Sequence, residues 1–173
     1  MGEVFESVIE YLERECLTYE VEKGGRVIRT GLRGEHGVFH VMLILNEARE
    51  GLRLVVSSNL MVPVPGRAAV VEYLNAVNWH LVVGGLRMDP SDGEVVYHAS
   101  VFTPGSALSP SMVGHLLLVG VNVMDAALPG LAAVAFAGLT ADEGFELFEA
   151  ESGLDTLGED EAGEPAYEEV LAC

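Results

Sequence analysis

The residue types that most often carry catalysis are scattered along this chain rather than grouped into a recognisable motif. Serine, histidine and aspartate all occur, but no Gly-x-Ser-x-Gly nucleophile elbow is present. Ser106, Ser109 and Ser111 lie in a stretch rich in proline and glycine, where serine commonly caps a turn or a helix. Neither Cys16 nor Cys173 lies in a motif typical of a catalytic thiol. The sequence therefore predicts a protein that is not an enzyme and has no catalytic residues.

Metal and cofactor motifs are also weak. His36 and His40 have the spacing with which a helix presents two zinc ligands, but the glycines around them and the adjacent strand pattern argue against a helix. Asp89–Glu94 lacks the twelve-residue ligand register of a calcium loop, so it is better explained as a turn. Gly31–Gly37 matches neither the P-loop nor the dinucleotide fingerprint. We therefore expect no bound metal and no cofactor.

Arginines recur through the first predicted hairpin and the strands that follow. Arg26, Arg29 and Arg33, joined by Arg49 and Arg53, could form a basic strip. Such a strip could hold a small acidic ligand or the protein's own C-terminal tail. Ordinary surface charge on a hairpin is the competing interpretation, because exposed charges of this kind contribute little by themselves.

The charge of the chain is strongly negative and unevenly distributed. The formal net charge is −18, and residues 89–173 contain sixteen acidic residues and no lysine or arginine. A surface of this kind repels phosphate groups, so direct nucleic-acid binding is not expected. It attracts basic surfaces on other proteins, although a solvated acidic surface is the simpler interpretation.

The sequence favours the cytoplasm and argues against a membrane-bound protein. The first residues lack the basic and apolar regions of a signal peptide, and Cys16 and Cys173 form no disulfide framework. Val113–Leu139 is long enough to span a bilayer, but Asp125 in its middle would cost about 2.5–3.5 kcal/mol there. Pro129 also breaks the run, and no Lys or Arg flanks it. A buried or dimer-forming helix pair is the expected explanation of this segment.

Any site must be positioned by the predicted helices and strands. Residues 3–16 are predicted to form the first helix, because their apolar residues recur at helical spacing. Two short strands are predicted within residues 18–32, on either side of a Gly24-Gly25 turn, because that turn type favours glycine at both central positions. Val38–Leu45 is the strongest strand and is predicted to be covered on both faces. Leu52–Ser58 returns beside it.

Residues beyond 66 complete the predicted architecture. A helix is predicted at 67–79, followed by strands at 81–88 and 94–102. A long apolar helix then runs from Pro110 to about Ala127, where Pro129 interrupts it, and a shorter apolar piece reaches Ala137. The last helix begins with a capping box at Thr140. Strands joined by hairpins, with helices segregated around them, predict an α+β sandwich rather than a parallel βαβ fold.

The chain is predicted to form one domain over residues 1–150, followed by an acidic tail over residues 151–173. The tail has eight acidic residues, no basic ones and little periodicity, so we expect it to be flexible. Tyr167, Val170 and Leu171 could instead form a short docking motif. Mimicry of DNA by the tail is a further possibility, which would make it compete for basic proteins.

Apolar residues are more abundant than a thin α+β layer pair needs. Val38–Leu45, Leu60–Val64 and Leu116–Met124 supply this surplus, which indicates either a well-filled core or a surface for a subunit or partner. We predict partner contacts at Met42, Met61, Trp79 and Met88, and dimer contacts at Leu116, Leu117, Val121 and Met124.

A family resemblance rests on three short segments. They are Val71-Glu72-Tyr73-Leu74-Asn75-Ala76-Val77-Asn78, then Val83-Gly84, and then Asp92-Gly93-Glu94-Val95-Val96-Tyr97. Together they resemble the YbjN family of bacterial proteins, catalogued as sensory-transduction regulators, in which a helix ending in a Leu-Asn element precedes an apolar strand, an Asp-Gly hairpin and a second strand. The acidic C-terminal extension is a departure from the family pattern.

The resemblance implies a twisted antiparallel sheet flanked by helices, similar to type III secretion chaperones. It also implies a homodimer that binds other proteins, with no catalytic residues and no cofactor. Our first hypothesis is therefore a non-enzymatic, dimeric adaptor or chaperone-like protein. A regulator that senses a small acidic ligand near Arg26, Arg29 and Arg33 is the alternative, and an enzyme with an unfamiliar site is a third hypothesis.

Overall fold

One antiparallel sheet organises the fold. The computed structural model describes residues 2–22 and 24–153, so most of the predicted tail lies outside the described residues. The strands are β1 (Tyr19–Val21), β2 (Val27–Arg33), β3 (Val38–Asn46), β4 (Gly51–Met61), β5 (Gly85–Met88) and β6 (Glu94–Phe102). They form a six-stranded sheet in the order β1-β2-β3-β4-β6-β5, with every neighbouring pair antiparallel. The edge strands β1 and β5 are the shortest, which limits unwanted pairing with other chains.

Helices surround one side of this sheet. They are α1 (Glu3–Arg14), α2 (Arg67–His80), α3 (Pro110–Ala132) and α4 (Ala141–Ser152), and a π-helical turn, Ala133–Ala137, follows α3 directly. α3 lies against β4 and β6, and α1 lies against α3 and β3. α2 lies beside β5, and α4 packs on α2 and α3. The predicted α+β class with an antiparallel sheet and flanking helices is confirmed.

The core lies between the sheet and α3. On β3, the side chains of Phe39, Val41 and Leu43 point inward and are almost completely buried. Leu117 and Met124 of α3 are fully buried in the same core. Apolar burial of this kind stabilises the folded chain by about 1.5–3 kcal/mol per large side chain.

The prediction that Val38–Leu45 is covered on both faces is wrong. Burial alternates along β3, and Val38 is 47% exposed. Met42 and Ile44 are only half-buried, and His40 is exposed. The helices that contact the sheet cover its other face, so the outward apolar residues of β3 have no covering layer within the described part of the chain. A continuous apolar run predicts burial on both faces, but here the strand belongs to a sheet that helices cover on one face only.

The long helix does not stop where proline predicts. α3 continues through Pro129, and the π-helical turn carries the helical backbone on to Ala137. Tertiary contacts explain why: the hydroxyl of Tyr73 donates a hydrogen bond of 2.8 Å to the carbonyl oxygen of Ala127, next to the proline. Burial raises the pKa of that hydroxyl, which keeps it protonated as a donor. Packing around the proline therefore overrides its local preference to end the helix.

The helical span Pro110–Ala137 is long and apolar enough to cross a membrane, judged by length and composition alone. Half of its most apolar window is buried inside the protein. Its buried side chains contact the sheet, α1 and α4, as the central helix of an α+β protein does.

Candidate protein-binding face

The sheet face opposite the helices is an open surface that combines apolar and charged groups in the described chain. It consists of the outward residues of five strands, and we refer to it as the outer face. Its central members are Arg29, Arg33, Val38, His40, Met42, Ile44, Arg53, Val55, Ser57, Arg87, Val96 and His98.

Strand register places these residues in rows across the sheet. Arg29 pairs with Met42, Met42 with Val55, and Val55 with His98. Met42 and Val55 thus lie between Arg29 and His98, and the row continues beyond Arg29 to Glu20 of β1. Met42, Val55 and His98 are all half-buried, so they retain surface that a partner could cover.

The outer face is basic although the protein is acidic. Arg29, Arg33, Arg53 and Arg87 all point outward and are exposed. Glu94 is the only carboxylate at an outward position of β2 to β6, but Arg29 already pairs with Glu22 at 2.7 Å and lies opposite Glu20 of β1. Since the whole chain has a net charge of −18, this face concentrates a large share of its few cations on one surface. Such a surface attracts acidic groups.

The positive charge of the outer face contributes to a lowered pKa of His98. Partial burial and then the guanidinium groups of Arg87 and Arg53 hold the pKa of His98 below its usual value. The imidazole is consequently neutral at pH 7. A carboxylate bound beside it would reverse the effect and favour the imidazolium form.

An apolar cleft of about 660 Å³ opens where the outer face meets the helical layer. Val38 and Leu60 line it from the sheet, and Leu128 and Ala132 line it from α3. His36, in the turn between β2 and β3, lies at its rim. The cleft offers room for an apolar side chain next to the basic face.

The turn beside this cleft is tied to two helices. The carboxylate of Asp125 in α3 accepts backbone N–H bonds from Glu35 at 2.8 Å and His36 at 2.9 Å. His36 Nε2 lies 3.0 Å from Glu151 Oε2 near the end of α4. The hydrogen bond to Glu151 is the main cause that raises the pKa of His36. Asp125, which argued against a membrane span, therefore anchors a surface turn.

Glu35, His36 and Glu151 could offer ligand atoms to a metal, since these atoms lie within 4.8 Å of one another. All three residues are exposed, and each already takes part in the contacts of the turn or lies beside it. Exposed acidic groups commonly cluster in this way without an ion, so we assign no metal to them.

The predicted partner-binding residues do not form one surface. Met42 and Met61 lie on the outward side of the sheet, and Met61 is 50% exposed. Met88 packs against the core from the edge strand β5. Trp79 is 85% exposed at the end of α2, where Val82 is 98% exposed. The structure thus brings two of the four to the outer face and leaves Trp79 in a separate apolar spot.

The predicted dimer contacts lie inside the protomer. Leu116, Leu117, Val121 and Met124 are all buried between α3 and its neighbours within one chain. Their side chains form the core and present no surface of α3 to a second copy. A dimer would need other residues.

The two asparagines of the family segments have different surroundings. The side chain of Asn78 donates to the carbonyl oxygen of Leu86 at 2.9 Å and accepts from its backbone N–H at 2.7 Å. Asn78 therefore joins the end of α2 to β5, a structural role. Asn75 is exposed on α2.

Sequence reasoning found Arg29, Arg33 and Arg53 but missed Arg87 and His98 as members of the same face. The available signal was the alternation along β6, where His98 stands between inward residues, and the outward register of Arg87 on β5. Only the strand order, with β6 between β4 and β5, brings these residues beside Arg53.

The chain is an α+β protein with one antiparallel sheet, helices on one face and an open outer face that carries four arginines. Comparison with known families then identifies the family: the model of the YbjN family, described as "putative bacterial sensory transduction regulator", matches residues 5–133. The chain belongs to the YbjN family.

A solved structure shows the same fold. The crystal structure of YbjN from E. coli, titled "a putative transcription regulator", superposes with a TM-score of 0.50 at 10% sequence identity, covering 67% of this chain and 82% of that chain. At this identity the likeness shows the fold alone. No curated protein matches the chain.

Proposed function

We propose that this protein is a regulator or adaptor that works without catalysis and binds an acidic segment of another protein on its outer face. The observation that carries the proposal is the basic, partly apolar sheet face that no described element covers. The family description, a regulator of sensory transduction, agrees with a role of this kind.

The side chains of the outer face determine which kind of partner segment can bind there. Met42, Ile44 and Val55 offer apolar surface, and burial of such surface gains about 25 cal/mol per Å². Arg53 and Arg87 offer planar guanidinium groups that bind carboxylates through paired hydrogen bonds. A partner segment that alternates acidic and apolar residues satisfies both. Attraction to the arginines acts over about one Debye length, roughly 8–10 Å, so binding is sensitive to salt.

A small acidic ligand is the second candidate, favoured by the outward positions of Arg53 and Arg87 on the strands that flank His98 on β6. Arg53, Arg87 and His98 lie on three neighbouring strands of an open sheet face, an arrangement that suits an extended partner segment. Thermal shift against a panel of organic acids separates the two candidates, because a ligand bound only to the folded chain raises its melting temperature.

We also propose a cytoplasmic homodimer, whose contacts lie outside the buried stripe of α3. Two outer faces repel each other through their arginines, so a dimer that keeps the partner site open uses a different surface. Light scattering on the purified protein measures the mass directly, and a monomer at micromolar concentration removes the dimer from the proposal.

Affinity capture from the source cells tests the binding role. The bait is the full chain, compared with the double variant Arg53→Glu/Arg87→Glu and with Arg14→Glu, a single charge reversal at an exposed arginine on α1, as the control on another surface. We expect one stoichiometric protein to be retained by the wild type and the control and lost by the double variant. Equal recovery by all three baits places binding elsewhere and overturns the proposal for this face.

A further inference from the structure

The chain itself contains a segment with the chemistry that the outer face selects. Residues 154–173 have seven acidic residues and no lysine or arginine. Apolar residues are interspersed among them: Leu154, Leu157, Tyr167, Val170 and Leu171. The basic outer face and the acidic segment are therefore complementary in charge and share apolar content.

This segment begins at the edge of the outer face. α4 ends at Ser152, and Gly153 adopts a left-handed conformation that stops the helix. Two residues earlier, Glu151 contacts His36 in the turn between β2 and β3. The residues that flank this turn on the outer face are Arg33 and Val38, which pair with each other. The chain thus leaves its last described residue next to the open sheet and the apolar cleft.

The length of the segment is sufficient to cross the face. Twenty extended residues reach roughly 66–72 Å. A strand of nine residues, the length of β3, spans about 30 Å. A segment of this length can cross the sheet from the His36 end and still form local turns.

We propose that residues 154–173 occupy the outer face of their own chain. Their carboxylates pair with Arg33, Arg53 and Arg87, since Arg29 is already paired with Glu22 at 2.7 Å, and their apolar residues cover Met42 and Val55. The segment then competes with the partner segment for the outer face. This regulatory consequence rests on the proposed function. The docking itself does not.

A second copy of the protein is a weaker occupant than the tail. Two outer faces would bring arginines opposite arginines, which costs energy at an interface. An intramolecular segment also acts at a high effective concentration, in the millimolar range for short flexible connections. Modest intrinsic affinity is therefore enough to keep the face occupied.

Paramagnetic relaxation in the full-length chain tests the docking. A nitroxide on Cys173 is introduced in a Cys16→Ser background, which removes the other, exposed thiol. We expect selective broadening of backbone amide signals at outer-face positions such as Met42, Val55 and His98. The broadening should persist when labelled chains are diluted with unlabelled, isotope-free chains, which excludes a second copy as its source.

Two full-length variants complete the test. Arg53→Glu/Arg87→Glu should abolish the broadening, and Arg14→Glu should preserve it, while unchanged dispersion of inner-face signals shows that both fold. No broadening on the outer face of the wild type, or broadening that survives the double charge reversal, overturns the docking. Because no partner protein is present, the result is independent of the capture experiment: docking without capture refutes only the proposed function, and capture without docking refutes only this inference.

Discussion

The two faces of the sheet are built from the same strands but perform different tasks. Inward side chains such as Leu43, Leu54 and Tyr97 are completely buried. Their outward neighbours Met42, Val55 and His98 are only half-buried, although several are as apolar. The difference arises from the helices, which cover one face and leave the other open within the described chain. Burial of the inner face therefore stabilises the fold, whereas the outer face has apolar and charged groups that a ligand can bind.

The largest contrast is expected from matched truncations on the two faces. Leu54→Ala removes a fully buried side chain and should lower the free energy of unfolding by about 2–5 kcal/mol. Met42→Ala on the outer face should lower it by less than about 1 kcal/mol, because no described helix packs over that side chain. Urea denaturation at constant pH measures both. Equal losses would show that the outer face is packed as tightly as the core, which a docked surface segment does not produce.

The next effect concerns the turn that joins the two faces near the cleft. Asp125→Ala removes the acceptor for the backbone N–H groups of Glu35 and His36 and should cost about 1–3 kcal/mol of stability. Asp125→Asn keeps one acceptor oxygen and is the matched control, with a smaller loss. Hydrogen exchange of these two amides provides the local readout. Unchanged exchange in the alanine variant would contradict the anchoring role.

A smaller effect should appear in the pH dependence of binding to the outer face. Burial and the positive charges of Arg53 and Arg87 depress the pKa of His98, so the free protein holds it neutral at pH 7. An acidic segment stabilises the imidazolium form, and binding therefore takes up a proton and tightens as pH falls below about 6.5. His98→Gln should flatten this dependence. The slope of affinity against pH, measured with a captured partner or an acidic peptide, checks it.

The smallest effect is the pH dependence of the contact between His36 and Glu151. The pKa of His36 is raised by its hydrogen bond to Glu151, so this contact stabilises the fold fully below the ordinary histidine pKa of about 6.5. The contribution is lost as pH rises through the elevated value in the folded chain. Partly exposed pairs of this kind contribute about 0.2–1 kcal/mol. His36→Gln should therefore destabilise the protein at pH 6 and have little effect at pH 9.

Turn and capping motifs predicted much of the fold, because each of them depends on residues that are close together in the chain. Gly24 and Gly25 both adopt positive φ in the first hairpin, at 100° and 66°. The side chain of Ser109 accepts the N–H of Met112 at the start of α3, and Thr140 and Glu143 form the predicted capping box. None of these features needs knowledge of distant parts of the chain.

The candidate site was less predictable because it depends on what covers each strand. The letters of Val38–Leu45 are equally apolar on both sides, so the sequence could not show which side the helices leave open. The same limit applies to Leu117 and Met124, predicted at a dimer interface but buried in the core. Similarly, Arg87 joins Arg53 only through a strand order that no local signal specifies.

The central claim is that the outer face recognises acidic segments that contain apolar residues. Its most direct test uses the full chain with the carboxylates of residues 154–173 changed to amides, titrated with a synthetic peptide of the natural 154–173 sequence. Amide chemical-shift mapping should then show saturable shifts at Met42, Val55 and His98 that weaken with salt. Shifts confined to the helical side, or none at millimolar peptide, would contradict the claim.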